Sequence, residues 1–178
     1  MRLIIICSLF FVACAGQKPV AKSTDSVEAY TVSGNFQQKL SYCGGARPSQ
    51  EMLDEFENPV PLMRYTIYIK KGTENSPSAV LVDSTKTDEY GNYSFSLPPG
   101  AYTLVSYTQL NKACLNDVVS QQYIVIADQA CLDDWYKKGL IQFTVKDQAI
   151  ANLDYLITKA CDIPDGIPCL NYTGPARP

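Results

Sequence analysis

Residues 87–104, Thr-Asp-Glu-Tyr-Gly-Asn-Tyr-Ser-Phe-Ser-Leu-Pro-Pro-Gly-Ala-Tyr-Thr-Leu, decide the fold. Polar and apolar side chains alternate over 92–97, which is the period of a strand with one buried face. Asp88 and Gly91 predict a tight turn before this strand. Pro99-Gly100 predicts a second turn after it, because proline fixes φ and glycine accepts φ > 0. Four side chains are expected to face the core: Tyr93, Phe95, Tyr102 and Leu104.

The same alternation recurs along the rest of the chain and predicts about eight strands. They lie over 31–40, 65–70, 79–87, 92–97, 101–108, 121–127, 141–146 and 151–158. Helix is scarce: Ser49 is a suitable N-cap for a short segment through Glu57, and 132–136 suits one or two turns. Neither segment is long enough to build a core. The chain is therefore predicted to be all-β, an antiparallel sandwich of seven or eight strands with minor helical turns.

The segment 87–104 resembles the signature hairpin of carboxypeptidase regulatory-like, or transthyretin-like, domains. The resemblance implies a transthyretin-like or Ig-like β-sandwich, which we expect over 31–160. In that superfamily the module is usually noncatalytic and serves in stabilisation, tethering or recognition. Hydroxyisourate hydrolases share the fold, but they depend on histidine, which this chain lacks.

The first residues predict an export signal. Leu3–Ala13 is an unbroken apolar run after Met1 and Arg2, too short to span a bilayer as a helix. The run ends Phe-Val-Ala-Cys at 11–14, which resembles the lipobox of bacterial lipoproteins. The resemblance implies a signal peptide over 1–13, lipid on Cys14 and attachment to the cell envelope through that lipid. Ala15 stands after the cysteine in place of the Asp that resembles an inner-membrane retention signal, which favours the outer membrane. The alternative is plain signal-peptidase cleavage that leaves Cys14 unmodified.

The polar stretch after Cys14 predicts a flexible tether through about residue 30, which would hold the domain clear of the lipid headgroups.

The composition of the chain excludes some classes of partner and of catalytic chemistry. With 15 basic and 18 acidic residues the net charge is -3, which provides no positive electrostatic potential to attract nucleic acid. Without histidine the chain cannot form a Ser-His-Asp or Cys-His nucleophile or a His-ligated zinc site, and we expect no cofactor.

Five cysteines follow the export signal, where an oxidising compartment favours disulfides. We expect two pairs, Cys114 with Cys131, and Cys43 with either Cys161 or Cys169. The second pair would bind a Cys- and Pro-rich tail over 161–178 to the domain. The alternative for Cys43, Cys161 and Cys169 is a thiolate site for a soft metal ion. Two pairs leave one of the five cysteines unpaired, and this cysteine leaves open a redox role.

Two further segments are candidates for binding. Tyr42–Pro48 contains a double glycine beside Cys43, which is typical of a close backbone approach near a disulfide; the functional alternative is a ligand loop using Arg47. Trp135, beside Asp133 and Asp134, is a candidate ligand platform, and the alternative is a tryptophan that plugs the sandwich edge.

The helix capped by Ser49 carries three carboxylates, Glu51, Asp54 and Glu55, which are candidates for general acid and base catalysis on sugars. The alternative is that they simply form a solvent-exposed helix face. The sequence therefore predicts a lipid-anchored envelope lipoprotein whose sandwich is a noncatalytic binding or accessory module. The alternatives are a carboxylate-based glycan hydrolase and a thiol redox or metal-binding lipoprotein.

Overall fold

The computed structural model describes residues 28–175. Two four-stranded sheets face each other across one core, which confirms the predicted antiparallel sandwich. The first sheet contains β1 (Tyr30–Leu40), β2 (Val60–Pro61), β5 (Asn92–Leu97) and β9 (Tyr155–Lys159). The second contains β3 (Thr66–Lys71), β4 (Leu81–Lys86), β6 (Gly100–Val105) and β8 (Ile141–Val145), in the order β4-β3-β6-β8.

The long strand β1 organises the first sheet. Its first half, Tyr30–Asn35, pairs antiparallel with β5, and its second half, Phe36–Leu40, pairs with β9. The β1–β9 pair is parallel, the one departure from antiparallel pairing among the named strands of the described chain. As a result β9, which follows β8 in the chain, joins the first sheet beside the second half of β1.

The sandwich core lies between the inner faces of the two sheets. The four inward side chains predicted from 87–104 are all buried there. Phe36 lies at the centre, fully buried, with its ring 5.3 Å from that of Tyr93 in an edge-to-face arrangement. The alternation of polar and apolar residues in 87–104 therefore predicts correctly which side chains face the core.

The connection between β5 and β6 differs from the predicted hairpin. The two strands belong to opposite sheets, so Pro98 and Pro99 carry the chain across the sandwich and do not close a paired turn. Gly100 is not among the residues with positive φ, and the expectation that it needs a left-handed backbone is wrong. Alternation identifies a buried face, but it does not identify the partner strand.

The turn before β5 is present as predicted. Gly91 has φ of 80°, and the Asp88 carboxylate accepts hydrogen bonds from the amides of Tyr90 and Asn92 at 2.9 and 2.8 Å. The Asn92 amide is the main reason that the pKa of Asp88 lies below its usual value. The Phe36 amide donates to the Gly91 carbonyl at 2.8 Å, so this turn is tied to the centre of β1.

The segment between β6 and β8 is a largely helical insertion. It comprises α2 (Tyr107–Leu110), α3 (Lys112–Val119), the short strand β7 (Ile124–Ile126) and α4 (Gln129–Lys138). The predicted strand 101–108 ends at Val105, because Ser106 starts α2 through a capping box with Gln109. Asp128 caps α4, which is longer than the one or two turns expected. The predicted strand 121–127 is reduced to three residues.

The insertion encloses a second hydrophobic cluster, contrary to the expectation that no helix helps to build a core. Side chains of α3, β7 and α4 bury themselves against the chain's C-terminal tail, here residues 161–175. The cluster consists of Leu115, Val118, Ile124, Leu132, Tyr136, Ile163, Ile167 and Leu170. By contrast, α1 (Gln50–Glu57), capped by Ser49 as predicted, buries no side chain fully.

Two disulfides fix the tail. Cys43 is bonded to Cys161, with Cα atoms 5.5 Å apart, and Cys131 is bonded to Cys169, with Cα atoms 5.8 Å apart. The predicted pair Cys114–Cys131 is wrong, and Cys114 on α3 is free. The tail strand β10 (Leu170–Tyr172) pairs antiparallel with β7, and this pairing helps bring Cys169 to α4.

The signal peptide, Cys14 and nearly all of the tether predicted over 14–30 lie outside the described residues. Within 28–175, no helix combines the length and the apolar character needed to cross a membrane.

Candidate functional site

A cavity of about 310 Å³ lies where the sandwich, the helical insertion and the tail meet. We call it the junction cavity. Its wall includes Tyr65 and Tyr155 from the sandwich, Ser106 and Trp135 from the insertion, and Asp165 and Pro168 from the tail. The volume is at the lower end of the range of small-molecule sites, roughly 300–1,000 Å³. Because three separate parts of the chain supply the wall, the cavity exists only in the assembled fold.

The sandwich supplies two tyrosine rings. Tyr65, just before β3, stacks on Phe36 with ring centroids 6.1 Å apart, and Tyr155, the first residue of β9, lies 5.4 Å from the same ring. The Tyr65 amide donates to the Thr87 hydroxyl at 2.9 Å. Both rings are therefore anchored on the centre of the sandwich core, and their positions depend on Phe36.

Tyr65 also carries a buried hydroxyl that makes no hydrogen bond of good geometry within the described chain, although the Ser106 side chain lies near enough to interact with it. Burial is the main cause that raises the pKa of Tyr65, and the negative charge of Asp165 raises it further. The Ser106 side chain opposes part of this rise. A buried phenol without a partner is unfavourable unless something else completes its hydrogen bonding.

The insertion supplies Trp135, the single tryptophan of the chain. Its position is set by backbone carbonyls of α4 that accept from buried amide side chains. Gln109 Nε2 donates to the Trp135 carbonyl at 2.9 Å, and Asn75 Nδ2 donates to the Tyr136 carbonyl at 2.9 Å. Trp135 is half-buried and packs against the second hydrophobic cluster.

Asn75 is part of a buried polar cluster that joins the sandwich to the insertion. Lys70 on β3 is only 3% exposed, and its Nζ donates to Asn75 Oδ1 and to the carbonyls of Ser76 and Leu110, at 2.9, 2.9 and 3.3 Å. These partners are neutral oxygens. Burial lowers the pKa of Lys70 accordingly. The cluster sets where α2 and α4 sit on the second sheet.

The tail supplies the one charged group of the cavity wall, the half-buried Asp165. Asp165 and Gly166 both have left-handed φ, 53° and 62°. A side chain at Gly166 would collide with the Thr158 carbonyl, so glycine is needed where the tail crosses β9. Within 28–175 no Lys or Arg forms an ion pair with Asp165.

Of the predicted ligand residues, the structure places Trp135 in this cavity and Arg47 elsewhere. Arg47 is exposed in the loop that follows Cys43 and lines neither of the two cavities described here. In that loop, Tyr42 donates to the Ala46 carbonyl at 2.8 Å, and Gly44 leaves room for the Tyr42 ring. The double glycine thus lies beside a disulfide, as the structural interpretation of this segment proposed.

A second, more open cavity of about 640 Å³ lies beside that loop. Its wall is mostly apolar and includes Leu40, Tyr42 and Phe56, with Lys159 at one side. The Tyr42 and Phe56 rings meet edge to face at 5.8 Å. No unpaired buried polar group lies among its lining residues, which distinguishes it from the junction cavity.

The candidate catalytic carboxylates are dispersed. Glu51, Asp54 and Glu55 are exposed on α1, and Asp54 accepts from Gln50 at 2.8 Å. On α4, Asp134 forms an ion pair with Lys138 at 2.7 Å, and neither it nor the exposed Asp133 lines the junction cavity. The structure does not bring these groups together around Trp135.

The thiolate metal alternative is contradicted for Cys43, Cys161 and Cys169, because all three are in disulfides. Among residues 28–175, no three Asp, Glu, Cys or His side chains are placed to hold a metal ion.

Tyr65, Tyr155 and Asp165 were not identified as site residues from the sequence. Tyr65 and Tyr155 sit at strand starts, where alternation predicts core positions. Asp165 lies in a tail whose path depends on the disulfide pairing. One weak sequence signal points to Asp165. It lies in Pro164-Asp165-Gly166, a turn sequence between two cysteines, so its carboxylate is expected in a constrained loop.

Comparisons with known proteins add little to this geometry. No protein-family model matches the chain, and no curated protein sequence matches it. Among solved structures, the Bacillus anthracis TIE protein overlaps 72% of this chain and 17% of its own, with 15% identity and a TM-score of 0.34. The E269A mutant of the shaft pilin SpaA from Lactobacillus rhamnosus GG overlaps 74% and 50%, with 13% identity and a TM-score of 0.38.

An (S)-allantoin synthase overlaps 71% of this chain and 41% of its own, with 13% identity and a TM-score of 0.33. The chain thus spans half or less of each of these three proteins. Overlaps this loose do not define a shared function, and the sandwich described above is read from the strands of this chain itself.

Proposed function

We propose that the protein is a lipid-anchored lipoprotein of the cell outer membrane whose transthyretin-like sandwich binds a ligand in the junction cavity without catalysis. The observation that carries the binding role is the cavity itself. It joins aromatic rings to the buried phenol of Tyr65, which makes no hydrogen bond of good geometry within residues 28–175, and to Asp165, which forms no ion pair with a Lys or Arg there. Such a mixture of apolar wall and few polar groups is typical of small-molecule sites.

The two disulfides support export. Structural disulfides persist in oxidising compartments outside the cytoplasm, which agrees with a signal peptide over 1–13. The anchor through Cys14 rests on the lipobox resemblance. One lipid chain binds a membrane marginally, whereas several anchor it stably, so a fully acylated Cys14 would keep the domain at the membrane.

A noncatalytic role fits the cavity better than glycan hydrolysis does. Hydrolysis of a glycosidic bond by the usual route needs two carboxyl groups about 5 to 9 Å apart, and the junction cavity offers Asp165 alone. The exposed carboxylates of α1 and α4 do not line this cavity. We therefore assign the cavity to recognition.

Metabolic labelling tests the anchor. Cells fed an alkyne fatty acid should incorporate label into the wild-type protein, which should partition into detergent. Cys14→Ser should lose both properties, whereas Cys114→Ser, which changes the cysteine that is free within residues 28–175, should keep them. Label that persists in Cys14→Ser would contradict the anchor.

Native mass spectrometry tests the cavity. Protein released gently from its own envelope should carry a small molecule that is recovered chemically unchanged. Tyr65→Phe combined with Asp165→Asn should lose that adduct, and the control Arg47→Ala should retain it. An adduct that survives in the cavity variant, or a protein that never carries one, would contradict binding at this site.

A further inference from the structure

We propose that the ligand of the junction cavity is a small organic ammonium ion, held by the aromatic rings and by the Asp165 carboxylate. This proposal rests on the binding role proposed above and adds the chemical class of the ligand. It follows from the charge of the cavity wall, its aromatic rings and the buried Tyr65 phenol.

The charge of the wall selects for a cation. Asp165 is the single ionised side chain among the lining residues, and no Lys or Arg of the described chain pairs with it. A carboxylate in a partly dehydrated cavity is unfavourable without a counter-charge. An anionic ligand would meet repulsion here, whereas an ammonium ion would supply the missing partner.

The rings favour an organic cation over a metal ion. Tyr65, Trp135 and Tyr155 all contribute to the wall, and an aromatic face attracts ammonium groups that lie within about 6 Å of its centroid. A hard metal ion needs several oxygen ligands, and Asp165 offers only one carboxylate. Alkylated ammonium groups lose little hydration on entering such a site, and their methyl groups contact the rings directly.

The phenol of Tyr65 restricts the ligand further. Its buried hydroxyl makes no hydrogen bond of good geometry within the described chain, and the nearby Ser106 hydroxyl is shared with Thr108 Oγ1 at 2.9 Å and with the Gln109 amide, from which it accepts at 3.2 Å. A ligand with a hydroxyl or ether oxygen next to the ammonium would satisfy the phenol. Choline has this combination of groups and is small relative to the cavity.

The emission of Trp135 provides a direct assay, because the chain has no other tryptophan. Choline should change this emission saturably. Its neutral isostere 3,3-dimethylbutan-1-ol and glucose should bind at least about tenfold more weakly. Glycerophosphocholine distinguishes a free ammonium from a lipid headgroup: binding equal to that of choline would indicate a headgroup, and weaker binding would indicate the free ion.

A matched pair of variants assigns the charge. Asp165→Asn should weaken choline binding by about tenfold or more, while Asp133→Asn, which removes one exposed negative charge from α4, should leave it unchanged. The comparison of choline with its neutral isostere uses the wild-type protein alone. Equal binding of the two would overturn the ammonium proposal and leave the proposed binding role unaffected. If no probe changes the Trp135 emission, the proposed ligand class is also wrong. Native mass spectrometry of the protein purified from its envelope would then test separately whether the cavity binds a ligand.

Discussion

Lys70 Nζ donates a 2.9 Å hydrogen bond to Oδ1 of Asn75, so a buried ammonium is held by a neutral amide and not by a carboxylate. The same amide donates from Nδ2 to the carbonyls of Gln109 and Tyr136, at 2.7 and 2.9 Å. One asparagine thereby joins β3 to both α2 and α4. The position of Trp135 in the junction cavity depends on this bridge.

Asn75→Ala should lower the free energy of unfolding by roughly 3 kcal/mol, because it leaves Lys70 and two buried carbonyls short of partners. Urea unfolding measures this change. Asn116→Ala, an exposed asparagine on α3, is the matched control and should change stability by less than about 0.5 kcal/mol. Equal effects of the two substitutions would show that the Lys70–Asn75 bridge is not needed.

The connections before and after β5 place different demands on glycine. Gly91→Ala should destabilise the protein by roughly 1–3 kcal/mol, because φ there is 80° and a new Cβ would press on the Phe36 carbonyl. Gly100→Ala should cost less, since its φ is not positive and the nearest group is the Tyr102 ring. Thermal unfolding compares them, and a larger loss at Gly100 would contradict the turn described here.

The Cys131–Cys169 disulfide should close the junction cavity by holding the tail on α4. Replacing Cys169 by Ser should lower stability by roughly 2–4 kcal/mol and make Trp135 more accessible to acrylamide quenching. Cys114→Ser should leave both properties unchanged, because Cys114 is free. Non-reducing peptide mapping checks the pairing itself, and a linked Cys114–Cys131 peptide would be the contrary result.

Buried tyrosines should make the fold sensitive to alkali. Burial raises the pKa values of Tyr65, Tyr93 and Tyr155 above the ordinary value near 10. Their contribution to stability is therefore complete below about pH 10 and is lost as the pH rises toward their folded-state pKa values, since the unfolded chain ionises first. The urea midpoint should fall above about pH 10, together with the appearance of tyrosinate absorbance.

Two tyrosine variants serve as internal controls at neutral pH. Tyr93 Oη donates to the Leu153 carbonyl at 2.6 Å, so Tyr93→Phe should cost about 1 kcal/mol. Tyr65 Oη makes no hydrogen bond of good geometry within the described chain, so Tyr65→Phe should be nearly neutral for stability. A midpoint that stays constant into strong alkali would show that these hydroxyls are not buried in solution.

The sequence predicts the sandwich well because its strands are short and alternate clearly. Alternation identifies Tyr93 and Phe95 as buried, but it carries no information on which sheet each strand joins, so the corner at Pro98-Pro99 was predicted as a hairpin. The sequence does not reveal the helical insertion because α3 and α4 are short, and their stability comes from tertiary burial of residues such as Leu115 and Leu132.

The site was predictable only in part. Trp135 was identified from its residue type, yet the cavity around it requires the tail to cross β9, and that path depends on Cys161 and Cys169. Five cysteines permit many pairings, and sequence spacing does not choose among them. Asp165 therefore gained its significance only from the three-dimensional arrangement.

The most direct test of the account locates bound choline by NMR. The claim is that the ligand lies among the rings of Tyr65, Trp135 and Tyr155 in a cavity closed by the tail. Intermolecular NOEs should connect the choline N-methyl protons to these three rings, and the single indole N–H signal should shift with saturating dose. NOEs to Tyr42 and Phe56 at the second cavity, or none at all, would contradict it.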